Sequence, residues 1–159
     1  MDSAELTRQF AFGALTVLEN VEGLTHEGTL VRPDAGGNCA HWILGHVVAT
    51  RSFFFPLLGL DRIWPRELEV RYGRGSDPDV DPGVAVPLAD LLDDFRTSQA
   101  LLTDRLASVT AADLAAPAPV TVPDMMGRTV GSALLSFAWH EAYHAGQLAL
   151  LRRQLVVAK

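Results

Sequence analysis

Apolar residues recur along this chain at helical rather than strand intervals, and the last stretch differs from the rest in being apolar on every side. Leu6, Phe10, Gly13, Val17 and Val21 share a face behind Asp2 and Glu5, which are spaced as a capping box, so a helix is predicted over roughly 3–22. A second is predicted over roughly 39–58, capped by Asn38, with Trp42, His46, Ala49, Thr50, Phe53 and Leu57 on its stripe. A third, roughly 88–109, aligns Leu88, Leu92, Phe95, Leu102, Leu106 and Val109 and keeps Asp90, Asp93, Asp94 and Arg105 off the seam. Thr129 caps a fourth, roughly 130–155, whose inward stripe is Val130, Ala133, Phe137, His140, His144, Leu148 and Leu151. The reverse face of this helix (Leu135, Ala138, Trp139, Ala142, Ala145, Gly146) is also uncharged. Such a helix is either central in its domain or half covered by a partner, and a homodimer is expected on this face, with cover by the first helix as the alternative.

Most of the Pro, Gly and Asp residues fall in 59–86, a long connection, and a second connection holds Pro117, Pro119 and Pro123. With no strand run, the pattern predicts an all-α fold, a four-helix bundle whose long connections permit crossovers. A length of 159 residues, 48% hydrophobic and 20% charged, suits one domain over 1–159. The formal charge of −6 argues against a nucleic-acid or anionic-membrane surface, and no apolar run approaches a membrane span. The acidic start Met1-Asp2-Ser3-Ala4-Glu5 does not resemble a secretory signal, and one cysteine, Cys39, cannot form an internal disulfide. Both fit a reducing cytoplasm.

The chemistry lies in His140-Glu141-Ala142-Tyr143-His144. Four residues on a helix leave about 40° between the two imidazoles, so both can reach one ion. The string reads H-E-x-x-H, but the further downstream ligand of zinc peptidases is missing: no His, Asp, Glu or Cys follows His144. A third ligand must come from upstream, from Cys39, a carboxylate, His26, His41 or His46. His46 lies within the second helix's stripe, whereas His41 points about 140° away from it. His41 and His26 are expected to be exposed and Cys39 to pack. Burying two imidazoles without partners costs roughly 1–3 kcal/mol each, and a metal satisfies both. Three imidazoles from two facing helices would leave part of a divalent ion's sphere open to water or substrate, as in a reactive rather than a structural site. Glu141, at the edge of the inward face, is a candidate to orient an imidazole or take a proton from water, or simply to form a salt bridge.

Two motifs resemble those of the DinB-like, YfiT-like metalloenzyme superfamily. Asn38-Cys39-Ala40-His41-Trp42-Ile43-Leu44-Gly45-His46 is similar to the family's helix-two segment ending in Gly-His, and His140 to Leu148 resembles its His-x-x-x-His-x-Gly-Gln near the C-terminus. The resemblance implies that His46, His140 and His144 bind a divalent metal in a four-helix bundle of unusual connectivity, often dimeric. It further implies chemistry such as attaching low-molecular-weight thiols, bacillithiol among them, to electrophiles. Tyr143 and Ala145 stand where many relatives carry a second His and a basic residue. Zinc or nickel is the expected ion, with iron, manganese or copper as further candidates.

The expected function is therefore a thiol S-transferase acting on a small electrophile. A hydrolase in which metal-activated water is deprotonated by Glu141 is the rival enzyme, and a non-catalytic metal-binding stress-response protein the rival without turnover. A transferase should present a basic patch near the metal, drawn from Arg51, Arg62, Arg66, Arg71 or Arg74.

Overall fold

The computed structural model describes residues 2–33 and 36–157, and the side chains up to residue 155. Among them are seven α-helices and no strand, only an isolated bridge between Pro117 and Thr129. Four helices are long: α1 (Ser3–Val21), α3 (Ala40–Phe54), α5 (Leu88–Leu106) and α7 (Val130–Val157). Three are short: α2 (His26–Leu30), α4 (Arg66–Arg71) and α6 (Ala111–Ala115).

The capping chemistry explains where the long helices begin. Asp2 accepts from the Glu5 backbone N–H at 2.8 Å at the start of α1, and Thr129 Oγ1 accepts from the Ser132 N–H at 3.2 Å at the start of α7. The cap of α3 differs from expectation by one residue. Cys39, not Asn38, accepts from the Trp42 N–H, through its sulfur at 3.4 Å. Cys39 is wholly buried, as expected of a packing residue.

The long helices pair as α1 with α7, α1 with α5, α3 with α5 and α3 with α7, a closed ring in which α1 and α7 meet most extensively. Helices consecutive in the chain, α1 and α3 or α5 and α7, are not among the main pairings, so the chain crosses over through the α2 and α6 regions. The connection expected over 59–86 joins neighbouring helices, and it contains α4, which its Pro- and Gly-rich composition did not announce.

Helix α3 is buried on nearly every side, because α4 and the loop after it cover the face turned away from the stripe. On α5 the inward residue is Leu91 rather than Leu92, and Ser98 shares the buried face with Phe95 and Leu102. The back of α7 is divided. Ala138 and Ala145 are buried under α1, whereas Leu135, Trp139, Ala142 and Tyr143 stay exposed. Cover by the first helix therefore accounts for Ala138 and Ala145 and leaves the other residues of that uncharged face open.

Candidate metal centre

His46 sits in the middle of α3, and His140 and His144 lie one turn apart on the α7 face that packs on it. Their ligand atoms all lie within 4.8 Å of one another. His140 Nε2 is 3.2 Å from His46 Nε2 and 3.1 Å from His144 Nε2. The three histidines singled out in the sequence are thus brought together, and they form a group that could hold a metal ion.

The outer nitrogens decide what this cluster can do. His46 Nδ1 donates to the Tyr72 carbonyl at 2.7 Å. A carbonyl only accepts, so the proton is on Nδ1 and Nε2 carries a lone pair. Gln147 directs its amide N–H to the Tyr143 hydroxyl at 3.3 Å, which leaves its oxygen to accept from His144 Nδ1 at 2.7 Å. His144 Nε2 is thereby also a lone pair. Both face His140 Nε2, whose single proton could satisfy one of them and not both. Burial, the neighbouring histidines and the Arg74 charge push His140 down to about 3, while burial and His46 push His144 down to about 4. His46 is lowered by burial against the opposing effect of its bond to Tyr72. The three rings are accordingly neutral near pH 7, the protonation state that a metal requires.

Two of the three separations match those around an ion, and the third, between His46 and His144, lies within 4.8 Å. Imidazole nitrogens held at about 2.0–2.1 Å in tetrahedral geometry are about 3.3 Å apart, against the 3.1 and 3.2 Å found here.

The ring of His46 is also fixed from the side of Trp42. Trp42 stacks on it with centroids 4.7 Å apart, and Trp42 Nε1 donates to Ser76 Oγ at 2.9 Å. Tyr72 reaches His46 only because residue 45 is Gly, since a Cβ there would overlap the Tyr72 ring.

His41 and His26 depart from expectation. His41 is wholly buried and His26 half-buried, and neither belongs to the cluster of ligand atoms. The Tyr72 hydroxyl accepts from the Val86 N–H at 3.2 Å and lies 3.1 Å from His41 Nε2, while His41 Nδ1 lies 3.4 Å from Thr29 Oγ1. Their side-chain needs are met inside the protein, because α2 and α4 cover a face that the helical wheel alone leaves in solvent. Burial, with the nearby His26, pushes His41 down to about 4.

Glu141 is buried and turned to Arg51. Arg51 Nη2 and Nε donate to Glu141 Oε1 and Oε2 at 2.7 and 2.8 Å. The guanidinium also donates to the Phe95 carbonyl at 3.1 Å, Ser98 Oγ at 2.8 Å and Gln99 Oε1 at 2.7 Å. Of the roles weighed for Glu141, this geometry describes the salt bridge, one that ties α3, α5 and α7 together beside the histidines. Arg51 is correspondingly spent and contributes nothing to a basic patch.

A cleft of about 390 Å³ opens beside His46 and His140, walled by Phe53, Phe137 and Met126. Tyr72 and Gln147 are residues whose roles sequence reasoning missed, and Arg51, expected in a basic patch, is bound to Glu141 instead. The Gly-Gln after His144 was visible as a motif, but no periodicity marks a loop tyrosine that acts through its carbonyl.

The sequence model of the DinB superfamily matches residues 9–148, and the chain belongs to that superfamily. No curated protein matches it.

Proposed function

We propose that residues 1–159 act as one DinB-like domain that holds a divalent ion, zinc or nickel first, through Nε2 of His46, His140 and His144. We propose further that it is a thiol S-transferase joining a low-molecular-weight thiol to a small electrophile. The observation that carries the metal reading is the convergence of two lone pairs, fixed by Tyr72 and Gln147, on His140 Nε2. Three neutral ligands leave the ion's charge uncompensated, and when bound it would supply Lewis acidity that favours thiolate over thiol at neutral pH.

The chain's own residues supply the rest. Trp42, Tyr72 and Gln147 hold the rings in place. The Arg51–Glu141 pair fixes α3 against α7, and Phe53, Phe137 and Met126 give the cleft walls that exclude water from a bound electrophile. In the reaction the sulfur loses its proton to solvent, a carbon–sulfur bond forms, and the leaving group departs with its electron pair. Glu141 plays no part in this scheme, since both its oxygens face Arg51.

The test is metal analysis followed by mixing of the loaded protein with bacillithiol or cysteine and 1-chloro-2,4-dinitrobenzene. Thioether formation above the uncatalysed rate, lost on chelation, supports the transferase. Turnover of 4-nitrophenyl acetate without thiol would move the assignment to a hydrolase, and bound metal with neither activity to a metal-binding protein.

The exposed strip of Phe12, Leu135, Trp139 and Tyr143 supports a homodimer with a second copy of the chain on this face. No helix among the described residues is long and apolar enough to cross a membrane.

A further inference from the structure

The cleft beside the histidines is apolar on its walls and cationic at its rim, in a chain whose formal charge is −6. Ala49, Phe53, Pro123, Met126 and Phe137 form the apolar part, while Arg66, Arg74 and Glu69 bring charge.

The arginines are not equivalent. Arg51 is sealed inside the protein on Glu141. Arg62 donates to both oxygens of Glu69 at 2.7 and 2.6 Å, Arg66 pairs with the same carboxylate at 3.3 Å, and Arg71 donates to the Val84 carbonyl at 2.5 Å. Glu69 is fully occupied as well, because Ser52 Oγ also donates to it at 2.7 Å. Arg74 makes no hydrogen bond or ion pair among the described residues, yet it lines the cleft together with His140.

We propose that Arg74 is the anion-recognition residue of this cleft, and that the ligand is a small molecule with an apolar body against Phe53 and Phe137 and one anionic group on the guanidinium. A guanidinium suits this role through its planar fork of donors, which meets a carboxylate, phosphate or sulfonate in two hydrogen bonds. The volume of about 390 Å³ admits one ring and a short chain. This inference rests on the reading of the cleft as the substrate site, and it specifies which substrates that site admits.

The probes are 3-phenylpropane-1-sulfonate and its uncharged counterpart, 3-phenylpropyl methyl sulfone. A sulfonate is a poor ligand for divalent metals, so a preference for it reports the arginine and not the ion. Calorimetric titration of the full chain, zinc-loaded and zinc-free, should show the sulfonate binding about tenfold or more tighter than the sulfone, the difference of a charge-assisted hydrogen bond. Arg74→Gln should bring the two affinities together, and Arg74→Lys should restore part of the gap. Zinc content should be unchanged in both variants. Arg96→Gln, at an arginine that does not line the cleft, should leave the preference unchanged. Equal affinities in the wild type, or a preference that survives Arg74→Gln, would overturn the proposal. A chain that takes up no zinc but keeps an Arg74-dependent preference would instead sink the metal reading and leave this one standing.

Discussion

Two polar clusters sit side by side between α3 and α7, and they are built on opposite principles. Around Arg51 every donor meets an acceptor: two carboxylate oxygens, a carbonyl, a hydroxyl and an amide oxygen, with the Phe95 ring 4.1 Å from the guanidinium carbon. Around His140 the protein does the reverse, satisfying the outer nitrogens of His46 and His144 and aiming both their lone pairs at His140 Nε2. Saturation marks a group that holds the fold, and convergence of acceptors marks a group that could hold a cation. Burial alone does not separate them, since His144 is 6% exposed and Glu141 3%.

The sharpest way to break the contrast is His144→Ala. It should reduce bound metal from about one ion per chain to near zero while circular dichroism keeps most of the helicity, because α7 packs on both α1 and α3. Retained metal in that variant would remove the histidine cluster from the comparison.

Next in size is Glu141→Ala, which strands a buried guanidinium and should cost about 3–5 kcal/mol in urea unfolding. Removing both charges, with Arg51→Met and Glu141→Leu, should recover much of that loss, since a well-packed apolar pair is often as stable as a buried ion pair. If the single variant were as stable as the wild type, the saturated cluster would not be structural.

Gln147→Ala leaves all three ligands but frees the His144 ring. Metal affinity measured by competition with a chelator should fall by about 10–100-fold with little change in stability. An unchanged affinity would mean that the tautomer is fixed by something other than Gln147.

A smaller effect is expected from pH. His41 is lowered from 6.5 to about 4 by burial and then by His26. Between those values the unfolded chain binds more protons than the folded one, so stability rises with pH across the window, is complete above about 6.5 and is lost progressively below it. Urea midpoints of the metal-free protein at pH 7 and pH 5 should differ in that direction. His140 and His144, lowered to about 3 and about 4, add to the same slope, so His41→Gln should reduce it without abolishing it.

The smallest change is to the association equilibrium. Trp139→Lys, at a position 69% exposed, should leave stability near that of the wild type and shift the chain to monomer in light scattering. A wild type that is already monomeric at micromolar concentration would end the homodimer proposal.

The sequence determined the elements that obey a local period. The four long helices begin and end within a few residues of where their stripes and caps place them, and His46, His140 and His144 already share inward faces on the helical wheel. Period and spacing are properties of a single helix, so a chain read one segment at a time reveals them. What only the tertiary structure decided depends on which segments meet. Helix α4 and the loop after it bury His41 and deliver the Tyr72 carbonyl to His46, and α1 hides Ala138 and Ala145 while leaving Trp139 exposed. Arg51 and Glu141, 90 residues apart, become one buried pair, which leaves Arg74 as the arginine of the cleft without a protein partner among the described residues. Such pairings are fixed by packing across the helix ring, and neither residue carries a sign of its partner in its own neighbourhood.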